Sequence, residues 1–297
     1  MTDFLNPDDD AGAGVTILHF FTYLVGDEDA AAAREQHCGT VASALENVAS
    51  WLAVDAWIGA GDAPDTSVAD PTTAADPGRR RSFVAAGLVA QISSELVSGA
   101  LLLLRNDNEY AASTLIRQLI ECEYLLRAFR LDFAEAARWH DANDSEQWDF
   151  KPSKLRKIGG FKREEYSHHC ESGGHPHPRG RQLLEIPRAM NRLGEAVAGE
   201  SAGIDITRAL WLDFTFHCDR TWRALVDLLA VEHGRFEHVG RTMKSINEVA
   251  ESRAAWENAD ALALNAGLVL DALNADPSTL LSDLLTAEPD DESVDSM

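Results

Sequence analysis

Apolar residues along the chain recur at helical spacing, and no alternating run is long enough to seed a sheet, which predicts an all-α protein. Between 29 and 59 an Ala-rich stretch carries Val41, Leu45, Val48, Leu52, Val54 and Trp57, the apolar stripe of a first long helix or a helix pair. Residues 59–81, rich in Pro, Gly, Asp and Thr, read as a flexible connection. The run 83–104, "FVAAGLVAQISSELVSGALLLL", is long enough to cross a bilayer. Gln91, Glu95 and its serines argue against that, because a carboxylate at mid-span costs ~2.5 kcal/mol or more. A buried core helix over 82–105 is expected instead, with no membrane contact.

Asn106, with Glu109 three residues on, fits a capping box and opens a helix that runs to about Arg130. Asp132 with Glu135 repeats the arrangement for the stretch "DFAEAARWHDAND". Such short connections favour antiparallel neighbours, so the expected architecture is an antiparallel helical bundle. A short helix is expected over 161–171, a helix kinked near Pro187 over 179–199, and a long apolar helix over 203–233 with Gly234 as its C-cap. A helix over about 245–265 and a short amphipathic piece near 277–286 complete the pattern. We therefore divide the chain into a disordered acidic N-terminus (1–12), a helical extension (13–61), a linker (62–81), the main bundle (82–270), and a short helix with an acidic tail (271–297).

Charge narrows the function classes. Of the 297 residues 49 are acidic and 26 basic, a formal charge of −23. The resulting field repels nucleic acid and acidic membranes except where a local basic patch overrides it. One such patch exists: Lys151, Lys154, Arg156, Lys157, Lys162 and Arg163, interrupted by Pro152, Gly159 and Gly160. Cys38, Cys122, Cys170 and Cys218 form no CxxC pair, and the acidic N-terminus has no leader pattern, so reduced thiols and a cytoplasmic location are expected. No P-loop, GxGxxG, nucleophile elbow or HExxH occurs.

Two stretches carry candidate chemistry. In "STLIRQLIECEYLLRAF" Arg117 and Glu121, and Glu123 and Arg127, stand four apart within an apolar helix. Some of these charges must then turn inward, as buried ion pairs or, for Arg117 and Glu121, as part of a polar pocket with His175. "YSHHCESGGHPHP", residues 166–178, admits three readings. In the first, Arg163 and His168 form an R-x4-H pair that binds a phosphate and moves the proton of a ribose 2′-OH without a metal, with Tyr166 and the nearby lysines positioning the phosphate. In the second, His168, His169, Cys170, His175 and His177 supply metal ligands, with Glu165-x-x-His168 as an E-x-x-H. His168, His175 and His177 are the foremost candidates, although no cofactor is expected. In the third, His175-Pro-His177-Pro is a stiff polar loop. His140, His217, His233 and His238 are singles beside apolar helices and read as core or capping residues.

Taken together, "RQLIECEYLLRAF", "FKPSKLRKIGGF" and "YSHHCESGGHPHP" resemble a family of bacterial helical proteins of unknown function, over roughly residues 85–230. Its Arg-x-x-x-Glu helix, Tyr-Ser motif and downstream histidine would correspond to Arg117, Glu121, Tyr166, Ser167 and His175. More distantly the chain resembles the HEPN superfamily, which includes metal-independent ribonucleases of toxin and antiphage systems. That resemblance implies Arg163 and His168 as the catalytic pair, RNA as substrate and a homodimer. Glu164 stands where the HEPN motif carries Asn, His or Asp. The other function class is a non-catalytic helical binding or scaffold protein with an unidentified protein partner, its charges internal ion pairs and its histidines on the surface.

Overall fold

The computed structural model describes residues 28–58, 77–170, 180, 183, 184, 206–232 and 239–274. Every regular element among them is helical: α1 (Glu28–Ile58), α2 (Pro77–Arg105), α3 (Glu109–Leu131), α4 (Ala134–Asp141), a 3-10 turn (Glu146–Phe150), α5 (Pro152–Ile158), α6 (Arg163–His169), α7 (Ile206–Glu232) and α8 (Val239–Asn274). The protein is all-α, and its long helices form a bundle in which α1 packs on α2 and α8, α2 on α3, and α3 on α7. Leu45 and Leu52 of α1 share one core with Val89, Val97, Ile116, Leu126, Phe129, Phe214 and Leu225, so the first helix is built into the bundle. Burying a side chain of this kind contributes roughly 1.5–3 kcal/mol.

Several boundaries differ from the expectation, each for a local reason. Helix α2 begins at Pro77, inside what reads as linker, because a proline in the first turn lacks an N–H that would be orphaned there anyway. The guanidinium of Arg79 then lies 5.4 Å from the ring of Phe83. Asn106 does not cap α3. It closes α2: Asn108 N–H donates to Leu103 O at 2.9 Å and Asp107 N–H to Leu104 O at 3.2 Å, with Asp107 in the left-handed region at φ 54°. That is a Schellman closure, and it delays the start of α3 to Glu109. Asp132 does serve the next helix, since its Oδ1 accepts from Ala134 N–H at 3.0 Å. Helix α8 begins at Val239 and runs to Asn274, longer at both ends than its apolar pattern indicates. The pieces expected over 185–199 and 277–286, and the cap at Gly234, lie outside the described residues.

Among the described residues α2 is the one helix whose length and composition would let it cross a membrane, and half of its most apolar window is buried against the bundle. Ala85, Ala86, Val89, Ala90 and Val97 face the core, whereas Glu95 faces solvent. The α1–α8 contact is polar at its centre. Arg34 and Asp260 form a buried ion pair, and His37 stacks on Trp256 at 5.5 Å while sharing a 2.9 Å hydrogen bond with Ser252 Oγ. Burial holds the His37 imidazole below its ordinary pKa, against the opposing pull of Asp219.

Helix α3 is the wall between two apolar clusters, and this decides where the candidate chemistry sits. Its Ile116, Leu119 and Leu126 face the main core. Its Ile120, Tyr124 and Ala128 face a smaller cluster with Phe150 and Leu155, against which Phe161 and Tyr166 pack. The 148–170 segment is therefore docked on α3 by a second core of its own.

Candidate functional site

The docking begins with "KIGGF". Gly160 has φ +73°, a left-handed conformation that favours glycine. At Gly159 an added Cβ would lie 2.3 Å from the Phe161 ring, so the tight turn at this position needs glycine for space. Arg156 donates to Phe161 O at 2.8 Å and closes the turn. Phe161 is thereby laid on α3, its ring 4.4 Å from that of Tyr124. The guanidinium carbons of Arg127 and Arg220 each lie 5.1 Å from its centroid.

Those two arginines share one carboxylate. Glu123, fully buried, accepts at Oε1 from Arg127 Nε at 2.9 Å and from Arg220 Nε at 3.0 Å. The buried ion pairing expected on this helix is thus centred on Glu123, and Arg220 of α7 makes it a triad. Arg117 and Glu121 are looser, with Nε and Oε1 3.9 Å apart and both side chains partly exposed. Glu121 has a closer partner. The Tyr166 hydroxyl donates to its Oε1 at 2.6 Å, across 45 positions of sequence. Arg117, Glu121 and Tyr166 therefore form one polar contact between α3 and α6. Burial, and then the Glu121 carboxylate, push the Tyr166 phenol well above its ordinary pKa. Near neutral pH it is a hydrogen-bond donor that orients Glu121.

One turn further along α6, His169 meets α7. Asp213 and His217 stand four apart on one face of α7. His169 Nδ1 lies 3.6 Å from Asp213 Oδ2, and His217 Nε2 lies 3.4 Å from Asp213 Oδ1. The two imidazole rings meet edge to face, with centroids 5.0 Å apart. Both histidines are buried and Asp213 is partly so. His217, expected as an isolated core residue, is a member of this cluster. A carboxylate and a histidine four apart on an apolar helix are the signal in the sequence, but a partner brought in from another helix is not visible there.

The remaining sequence candidates are distributed differently. Arg163 is the first residue of α6 and is exposed. Position 168 is five residues on, and at about 100° per residue the two positions stand about 140° apart around the helix axis, not on one side of it. The inward face of α6 carries Tyr166 and His169 instead. His175 and His177, and the side chain of His168, lie outside the described residues, so the metal readings that rest on them are not placed. All four cysteines are free thiols, and burial pushes the Cys122 thiol up to about 12.

The basic patch forms the outer edge of the same segment. Lys151, Lys157, Lys162 and Arg163 are exposed and make no ion pair among the described residues. Lys154 is tied to Asp149. In the 3-10 turn Phe150 points inward and Trp148 outward, 68% exposed, with the Lys151 ammonium 5.8 Å from its ring centroid. No protein-family model matches the chain, and no match was found among curated proteins or solved structures.

Proposed function

We propose that the protein binds single-stranded RNA along the edge formed by residues 148–163. The observation that carries this reading is Trp148. A tryptophan 68% exposed offers a stacking platform for a base, with the Lys151 ammonium beside it and the exposed cations Lys157, Lys162 and Arg163 further along the segment to follow a phosphate backbone. Such a run of basic groups that make no ion pair among the described residues, in a segment with an exposed aromatic, stands out on a chain of charge −23. The glycine turn and the second core hold the edge rigidly on α3, which limits the ordering cost of binding.

In its catalytic form the reading is HEPN-like: a metal-independent ribonuclease effector of the toxin or antiphage type, with Arg163 and His168 acting on the scissile phosphate. The HEPN resemblance implies that a second copy of the chain completes the site, and hence a homodimer. The non-catalytic alternative, a helical scaffold for a protein partner, keeps the same bundle and assigns the edge no nucleic acid.

Fluorescence anisotropy with a labelled single-stranded RNA of mixed sequence tests the proposal. Trp148→Ala is expected to weaken binding roughly 5- to 150-fold, the loss of about 1–3 kcal/mol of base stacking. Its folding should be unchanged, because the side chain is mostly exposed. Equal affinity for the two proteins, or no binding by either, would favour the scaffold. The same RNA incubated in EDTA with wild type and His168→Ala separates cleavage from binding.

A further inference from the structure

We infer that His169, Asp213 and His217 form a divalent metal site of the zinc class, joining the end of α6 to the middle of α7. The three residues present donor atoms that all lie within 4.8 Å of one another. The separations themselves indicate what the donors would share. A charge-assisted hydrogen bond between an imidazole and a carboxylate is about 2.7–2.9 Å long. Here the nitrogen to oxygen distances are 3.4 and 3.6 Å. Two donors bound to one tetrahedral ion at about 2.0–2.1 Å stand roughly 3.4 Å apart. Each imidazole faces a different oxygen of Asp213, at distances close to those between ligands that share one ion.

The chemistry of the donor set narrows the ion. Two imidazoles and one carboxylate suit zinc or iron(II) and are a poor match for magnesium or calcium, which take oxygen ligands. Three ligands from among the described residues match the protein ligand count of zinc sites that do chemistry, where a water or substrate oxygen is the fourth. Asp213 is the most open of the three, with 24% of its side chain exposed. The histidines are nearly closed off, with 6% and 2% of their side chains exposed, so an ion bound there would be shielded from bulk solvent. An ion would also fix the C-terminal end of α6, the helix whose other end carries the basic edge. This inference does not depend on RNA binding, since it rests on α6 and α7 alone.

The test is equilibrium dialysis of the full chain against zinc ion, followed by elemental analysis, on wild type, Asp213→Asn, His217→Ala and the double variant His175→Ala, His177→Ala. We expect one zinc per chain in wild type and in the double variant, and affinity weakened roughly 100-fold or more in Asp213→Asn and His217→Ala. Cobalt loaded in place of zinc should show tetrahedral-type ligand-field absorption in wild type and lose it in Asp213→Asn. Circular dichroism confirms that each variant keeps its helix content, and the near-isosteric Asp213→Asn serves if His217→Ala does not fold. The inference is overturned by absence of stoichiometric binding, by binding that survives both single substitutions, or by loss of binding in the histidine-loop double variant.

Discussion

Glu123→Ala is expected to cost about 3–5 kcal/mol of unfolding free energy, the largest effect of any single charge change in this segment. The carboxylate is fully buried and serves two arginines from one oxygen, Arg127 at 2.9 Å and Arg220 at 3.0 Å. Removing it takes from two partly desolvated guanidinium groups, both against the Phe161 ring, the carboxylate that they share. Urea denaturation of wild type and variant measures the loss. The pairwise share of Arg220 can be isolated in a double-mutant cycle with Arg220→Ala, in which the double variant should lose clearly less than the sum of the singles. Additive losses would mean that the triad is coupled weakly and that the arginines are anchored by their ring contacts.

Phe161→Ala is expected to cost roughly 3 kcal/mol, at the lower end for an aromatic truncation because the ring is only partly buried. Two contributions add. The ring loses its packing on Tyr124, at 4.4 Å, and both arginines lose a cation–π partner. The consequence reaches α6, because Phe161 is the point at which the chain turns onto α3 just before that helix starts. Native-state hydrogen exchange should show the amides of residues 161–170 exchanging faster in the variant while those of α1 and α2 keep their protection. Uniform loss of protection through the bundle would instead make Phe161 part of the global core.

Much of the architecture is legible from spacing alone, since a helix that packs on several neighbours repeats its apolar residues at a period that no strand shares. The expected cap at Asn106 fails for a definite reason: the same polar residues that can open one helix can close the previous one, and the left-handed Asp107 decides between them. Pro77 likewise belongs to a stretch whose composition reads as linker, although a proline is well placed in a first turn. The polar contacts divide in the same way. That charges on the 117–127 helix must turn inward follows from the apolar residues around them. Which carboxylate is buried depends on Arg220, almost a hundred positions further along the chain. The His169, Asp213 and His217 cluster needs two helices to be adjacent before it exists, and no local pattern reports that adjacency. His169 reaches Asp213 only because α6 lies against α7 at that position.

The central claim is that the 148–163 edge engages a nucleic acid backbone, and the salt dependence of RNA affinity examines it most directly. Four phosphate contacts, by Lys151, Lys157, Lys162 and Arg163, predict a slope of log affinity against log salt of about −3 for a single strand. Lys157→Gln with Lys162→Gln should reduce the steepness of that slope by about 1.4, two contacts' worth. Affinity that does not respond to salt, or a slope that the double variant leaves unchanged, would contradict the claim.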